Sequence, residues 1–151
     1  MKRIITLLIA IVLCSSAVNA QGFFFGGGPD LEVIGGPSFG FHIQFGSDHV
    51  GSKYFGIRGD ASLIFTPGLD LGLGLDLFGR VPLEGITPYF GGGAKAYVLG
   101  GIVFNLHGLA GLEFAVSRGL GVYLEAQPGV LIAPNGSAFQ FGLLLGLRGH
   151  F

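Results

Sequence analysis

The chain is 151 residues long, enough for one domain; half of it is apolar and only 11% is charged. Thirty glycines and fifteen phenylalanines stand beside one cysteine and no tryptophan. This composition excludes a disordered chain, which needs few apolar residues and much charge. Eight basic residues against nine acidic ones, with no basic patch, exclude a nucleic-acid partner.

In chain order, the first segment is residues 1–20. Lys2 and Arg3 open it, an apolar run follows to Leu13, and small residues lead to Ala20. This is the pattern of a secretory signal peptide, cut after Ala20 by signal peptidase. The run is too short for a spanning helix, which needs ~20 residues. Cys14 follows Leu13, where a lipoprotein signal carries a small residue, so lipidation is not expected. The mature chain then has no cysteine and no disulfide. Without Lys2 and Arg3 it carries six basic and nine acidic residues, a net charge of -3.

Residues 21–29, QGFFFGGGP, read as an N-terminal arm or an extension of the first strand, with the folded domain at 30–151. A weak run at 31–36 stops before Pro37, which suits a loop better than the middle of a sheet. Clear alternation follows. Phe39, Phe41, Ile43 and Phe45 oppose His42 and Gln44, and Phe55, Ile57, Ala61, Leu63 and Phe65 oppose Arg58, Asp60 and Ser62. In LDLGLGLDLF, residues 69–78, leucine takes every odd place and Asp70, Gly72, Gly74 and Asp76 the even ones. Residues 87–98 carry Lys95 on the polar side. Residues 103–116 set Phe104, Leu106, Ala110, Leu112 and Phe114 against Asn105, His107 and Glu113. Residues 120–127 set Leu120, Val122 and Leu124 against Tyr123, Glu125 and Gln127; the last run sets Phe139, Phe141, Leu143, Leu145 and Leu147 against Gln140, Arg148 and His150.

A period of two marks strands with two different faces. Turns are expected at 47–53, 66–68, 79–85, 99–102, 117–119 and 133–137, where glycine, proline, asparagine and serine cluster. That spacing predicts eight strands joined by hairpins in an all-β barrel or sandwich.

The faces decide which solvent lies outside. A water-facing surface carries about 25–35% charged residues, yet the polar faces here are mostly glycine. Small inward residues suit an eight-stranded barrel, whose bore is only just wide enough for its own side chains. The strands also match the ~9–11 residues of a tilted membrane strand. The fold expected is a closed eight-stranded antiparallel up-and-down transmembrane β-barrel, with leucines toward lipid. Both termini then lie at the periplasmic end. The lumen would hold His42, Gln44, Arg58, Asp60, Asp70, Asp76, Lys95, Asn105, His107, Glu113, Glu125, Gln127, Gln140 and Arg148. Unpaired charges there are costly, so the set predicts ion pairs and hydrogen bonds. Aromatics at strand ends, Tyr54, Phe55, Phe65, Phe78, Tyr89, Phe90, Tyr97, Phe104, Phe114 and Phe139, are candidates for interfacial girdles.

Phe151, preceded by alternating Leu143, Leu145 and Leu147, resembles the C-terminal signature that the barrel assembly machinery reads; Gly149 departs from it. TPYFGGGAKAYV, LAGLEFAV and LGVYLEAQPGV are similar to glycine-rich strands of porin-family barrel domains. The mature chain as a whole resembles the small eight-stranded barrels of the bacterial outer membrane, the class of outer membrane proteins A and X. The resemblance implies an outer-membrane location, lipid as the surroundings and a monomer. It is specific for architecture and weak for activity.

No chemistry-bearing motif stands out. His42, His107 and Glu113 are candidates for a metal or acid–base cluster, but lack metal-ligand spacing and read as lumen polar groups. Ser47, Asp48 and His49 are consecutive and cannot converge as a triad. Ser38 and Ser137 lie near the rim without a histidine at recognisable spacing. Lys95 and Arg148 read as ion-pair partners rather than an anion path. The reading is a structural barrel for envelope integrity, with a plugged lumen and without catalysis, metal or cofactor. Its alternatives are a narrow channel for ions or small solutes, a lipid-modifying barrel enzyme, and a soluble secreted barrel binding an apolar ligand.

Overall fold

Eight antiparallel strands close on themselves in the computed structural model, which describes residues 22–33, 36–65, 69–98 and 101–151. They are β1 (Phe23–Val33), β2 (Pro37–Ser47), β3 (Phe55–Phe65), β4 (Leu69–Arg80), β5 (Ile86–Tyr97), β6 (Val103–Ser117), β7 (Leu120–Ala133) and β8 (Gly136–His150). Each pairs with the next, and β1 pairs with β8 to complete the barrel. Closure satisfies the backbone without an edge strand, which lipid demands. The expected signal peptide and the turn at 66–68 lie outside the described residues.

Of the two readings of 21–29, β1 takes the extension of the first strand from Phe23 onward. The strand starts at Phe23, and Gly26, Gly27 and Gly28 pair with Gln44, Ile43 and His42 of β2. Three glycines have no side chains with which to show alternation, so this strand is legible only from Asp30 onward. Of the run expected over 31–36, residues 31–33 belong to this strand and residues 34–35 lie outside the described residues.

Hairpin connections sit at both ends. Ser117 pairs with Leu120 around Arg118 and Gly119, next to a bulge between Ala115 and Ser117. Gly119 has φ +81°, a left-handed conformation that a side chain disfavours. At the opposite end, Ala133 pairs with Gly136 around Pro134 and Asn135. The start of β1 at Phe23, the end of β8 at His150, residues 48–54, residues 81–85 and the Arg118–Gly119 turn share one end of the barrel, the end of the termini.

The distribution of side chains is inside out. Among the described residues, nine hydrophobic side chains are buried against eighteen polar or charged ones. The leucines of β4 point outward, and Leu75 and Leu77 are 59% and 62% exposed. So do Phe39, Phe41, Phe90 and Phe139, in a belt far beyond the ~300–600 Å² apolar patch of a soluble monomer.

Glycine makes the bore fit. Several large inward side chains lie over a glycine of a neighbouring strand. Phe78 covers Gly56, Tyr89 covers Gly111, Asp76 covers Gly93 and Asp60 covers Gly74; a methyl group at any of these glycines would overlap the side chain above it. Tyr123 approaches Gly146 in the same way, its hydroxyl 2.5 Å from where a Cβ would stand. This alternation of large and small residues explains a glycine content that composition alone leaves ambiguous.

Three of the expected girdle residues are corrected. Phe78, Tyr89 and Tyr97 are buried inside the bore, 3–4% exposed. Phe78 shares the parity of Asp76, and Tyr89 and Tyr97 that of Lys95, so strand geometry turns them inward. Phe24, Phe78, Tyr89 and Leu109 form an apolar layer toward the termini, and Ile64, Tyr97 and Leu131 form another toward the far end. Tyr54, Phe55, Phe65, Phe90, Phe104, Phe114 and Phe139 are outward and exposed.

Candidate functional site

Between the two apolar layers the bore is filled by polar side chains. Arg58 is the hub. It sits beside Asp76 in the β3–β4 register, and its Nε donates to Asp76 Oδ2 at 2.7 Å. Its two terminal nitrogens donate to both oxygens of Glu125 on β7, at 2.6 and 2.5 Å. β3 and β7 are four strands apart in an eight-stranded ring, so this fork crosses the bore. Gln44 Oε1 accepts from Arg58 at 2.9 Å, and Gln127 Nε2 donates to Glu125 at 2.7 Å. His107 Nε2 donates to the other oxygen of Asp76 at 2.9 Å. The cluster thus ties together β2, β3, β4, β6 and β7.

Toward the termini, Arg148 donates to Glu113 at 2.8 Å and to Gln44 at 3.2 Å. Its guanidinium lies 4.6 Å from the ring centre of Phe24, 4.7 Å from that of Tyr123 and 5.1 Å from that of Tyr89. Planar guanidinium stacks on aromatic faces as ammonium does not, which suits arginine to this place. His150 bonds Glu113 through Nε2 and Asp48 through Nδ1, the latter at 2.9 Å, and Arg80 also pairs with Asp48. Asp48 lies in the β2–β3 connection. Burial opposes its ionisation, but the His150 bond and the Arg80 charge outweigh burial and hold its carboxyl below the usual range.

Toward the far end the balance changes. Lys95 is 3.2 Å from Asp60 and 3.9 Å from Glu32. The Tyr97 hydroxyl donates to Glu32 at 2.7 Å and accepts from Gln140 at 2.8 Å. Asn105 neighbours Lys95 in the β5–β6 register.

Every lumen residue named from the sequence is buried except Asp70. Asp70 is half-buried near the start of β4, where it accepts from the Leu71 N–H at 2.9 Å. Sequence reasoning missed Asp30 and Glu32, both buried, because β1 was weak; the alternation of Asp30 and Glu32 with Leu31 and Val33 was the available signal.

The candidate chemical clusters do not assemble. His42 bonds Tyr123, His107 bonds Asp76, and Glu113 bonds Arg148 and His150. Asp48 turns to His150, while the His49 N–H donates to Ser47 Oγ at 3.3 Å. Ser38 and His42 share a face of β2 but stand four residues apart, about 13 Å along a strand. Among the described residues no three His, Cys, Asp or Glu side chains come together as metal ligands.

Strand number, closure and inside-out faces define the fold of the eight-stranded outer-membrane β-barrel. Solved structures share it. Neisserial surface protein A superposes with a TM-score of 0.71 at 16% identity, over 88% of this chain and 99% of that one. The N-terminal β-barrel domain of Pseudomonas aeruginosa OprF gives 0.59 at 13% identity, over 88% and 100%. A de novo designed transmembrane β-barrel gives 0.64 at 11% identity, over 88% and 98%. No protein-family model and no curated protein matches the chain.

Proposed function

We propose that this chain is an integral protein of the bacterial outer membrane with a structural, non-catalytic role in the envelope, its bore closed by its own side chains. The observation that carries the reading is the Arg58–Glu125 fork, which crosses the bore with side chains 1% and 0% exposed. A solute passing along the axis must break it, and opening a buried pair leaves uncompensated charge at a cost of ~3–5 kcal/mol. The outer apolar belt supports lipid as its surroundings. Leu143, Leu145, Leu147 and Phe151 all point outward, where the barrel assembly machinery would read them on a monomer. Short connections at the far end, such as Pro134-Asn135, leave little room for a loop-built receptor.

Single-channel recording in a planar bilayer tests the closed bore. The purified barrel is expected to show no unitary conductance above the bare bilayer. Regular conductance steps would replace this reading with the narrow channel.

A further inference from the structure

The outer face is not uniformly convex. Gly79 of β4 stands opposite Phe55 of β3 on one side and Phe90 of β5 on the other. It shares the outward parity of Leu75 and Leu77. A glycine between two outward phenylalanines leaves a slot, its walls two strand spacings apart, roughly 10 Å. The slot measures about 680 Å³, within the ~300–1,000 Å³ of small-ligand sites. Leu77 closes it toward mid-barrel, and Val50, Tyr54 and Val81 bound it toward the loops.

Backbone bonds hold these loops in place. Val50 N–H donates to the Phe55 carbonyl at 2.9 Å, Arg80 N–H to the Tyr54 carbonyl at 2.8 Å and Val81 N–H to the Pro88 carbonyl at 2.9 Å. The slot is therefore preformed, which lowers the ordering cost of filling it. Its lining is apolar apart from Arg80, whose charge is met by Asp48. Lys53 stands at the loop end, exposed, its ammonium 5.2 Å from the ring centre of Tyr54. That ring is its one partner among the described residues, so its charge is uncompensated. Glu84, the acidic residue of the 81–85 connection, does not line the slot. A second outer groove, about 510 Å³ between Phe25, Phe41 and Leu147, has neither lysine nor arginine.

We infer that the Gly79 slot holds an acyl chain of a phospholipid with a net negative head group, whose phosphate meets the Lys53 ammonium. The chain lies between Phe55 and Phe90 with its tail toward Leu77. The head group reaches the loops, at the level where barrel aromatics such as Tyr54 meet the bilayer interface. The assignment rests on the lipid-facing reading of the outer belt and is independent of the closed bore.

The test places the mature barrel in nanodiscs of equal parts phosphatidylglycerol and phosphatidylcholine with matched chains, and weighs the released protein by native mass spectrometry. The wild-type barrel should keep one phospholipid, phosphatidylglycerol over phosphatidylcholine by about fivefold, the preference one lysine near a bilayer surface supplies. Lys53→Gln should keep a lipid without the preference. Gly79→Leu should lose the lipid; a Cβ there meets only ordinary contacts, Phe90 at 3.7 Å, so the fold has room for it. Ala94→Leu, on the exposed face nearer mid-barrel, should retain it. If Gly79→Leu no longer shifts on boiling, the wild-type and Lys53→Gln results decide. A barrel that enters the nanodiscs but keeps no lipid, keeps the two lipids equally, or keeps as much in a folded Gly79→Leu would overturn the assignment and leave the lipid-facing reading standing. A chain that stays out of the nanodiscs would overturn both.

Discussion

Arg58 and Glu125 meet head-on across the bore, both terminal guanidinium nitrogens on both carboxylate oxygens at 2.6 and 2.5 Å. They are 67 residues apart in sequence and belong to strands on opposite walls. The pair acts as a strut as well as a plug. Glu125→Ala leaves Arg58 with Asp76 as its one carboxylate partner beside the neutral Gln44 and is expected to lower unfolding free energy by about 3–5 kcal/mol. Urea titration in detergent micelles reads this directly; a loss below about 1 kcal/mol, the ceiling for an exposed pair, would mean water already screens it.

Gly93 supports the Asp76 side of the same cluster. A methyl group there would overlap both the Asp76 carboxylate and the Leu75 carbonyl oxygen. Gly93→Ala is therefore expected to cost about 1–3 kcal/mol, the range for overpacking. At Gly108 a built Cβ would meet only ordinary contacts, its nearest neighbour 3.8 Å away. Gly108→Ala should be neutral or slightly stabilising, so the two alanine variants measured side by side separate lack of room from loss of glycine as such.

The lipid-facing assignment predicts a charge penalty on the outer face. Leu75 is the seventh residue of the twelve in β4, close to mid-strand, and 59% exposed. Leu75→Lys should destabilise the barrel in lipid vesicles by about 2–4 kcal/mol. In a soluble barrel an exposed substitution would stay within about 0.5 kcal/mol.

Acid should loosen the end that carries the termini. The folded pKa of Asp48 lies below its unfolded value, despite burial, through the His150 bond and the Arg80 charge. A depressed carboxylate stabilises the fold fully above the unfolded pKa, about 3.9, and that contribution fades as pH falls through the folded pKa. The wild-type urea midpoint should therefore drop more steeply below about pH 4 than that of Asp48→Asn. Parallel acid limbs in the two proteins would contradict the pairing.

Face assignment was legible in the sequence because a strand has a period of two and the two solvents differ sharply. The apolar residues that alternate with Arg58, Lys95 and Arg148 lie on the outer face and those cations inside, whereas Leu109, Leu131 and Leu144 turn inward. β1 was obscured by Gly26, Gly27 and Gly28, which carry no side chains to register the period. The inward turn of Phe78, Tyr89 and Tyr97 was available from parity, but aromatic character near strand ends pointed the other way. Pairing was not legible. Whether Arg58 meets Glu125 or Glu113 depends on strand stagger around the whole ring, and alternation within single strands carries no information about it.

The most direct test of the account is gel migration of a tagged mature chain from the outer-membrane fraction, boiled against unboiled. A membrane band that shifts on boiling is the predicted result, since a closed barrel with a lipid-facing apolar belt resists detergent until heated. A chain found in the soluble periplasmic or culture fraction, with no shift, would contradict it, and the leucines of β4 would then have to face a ligand rather than lipid.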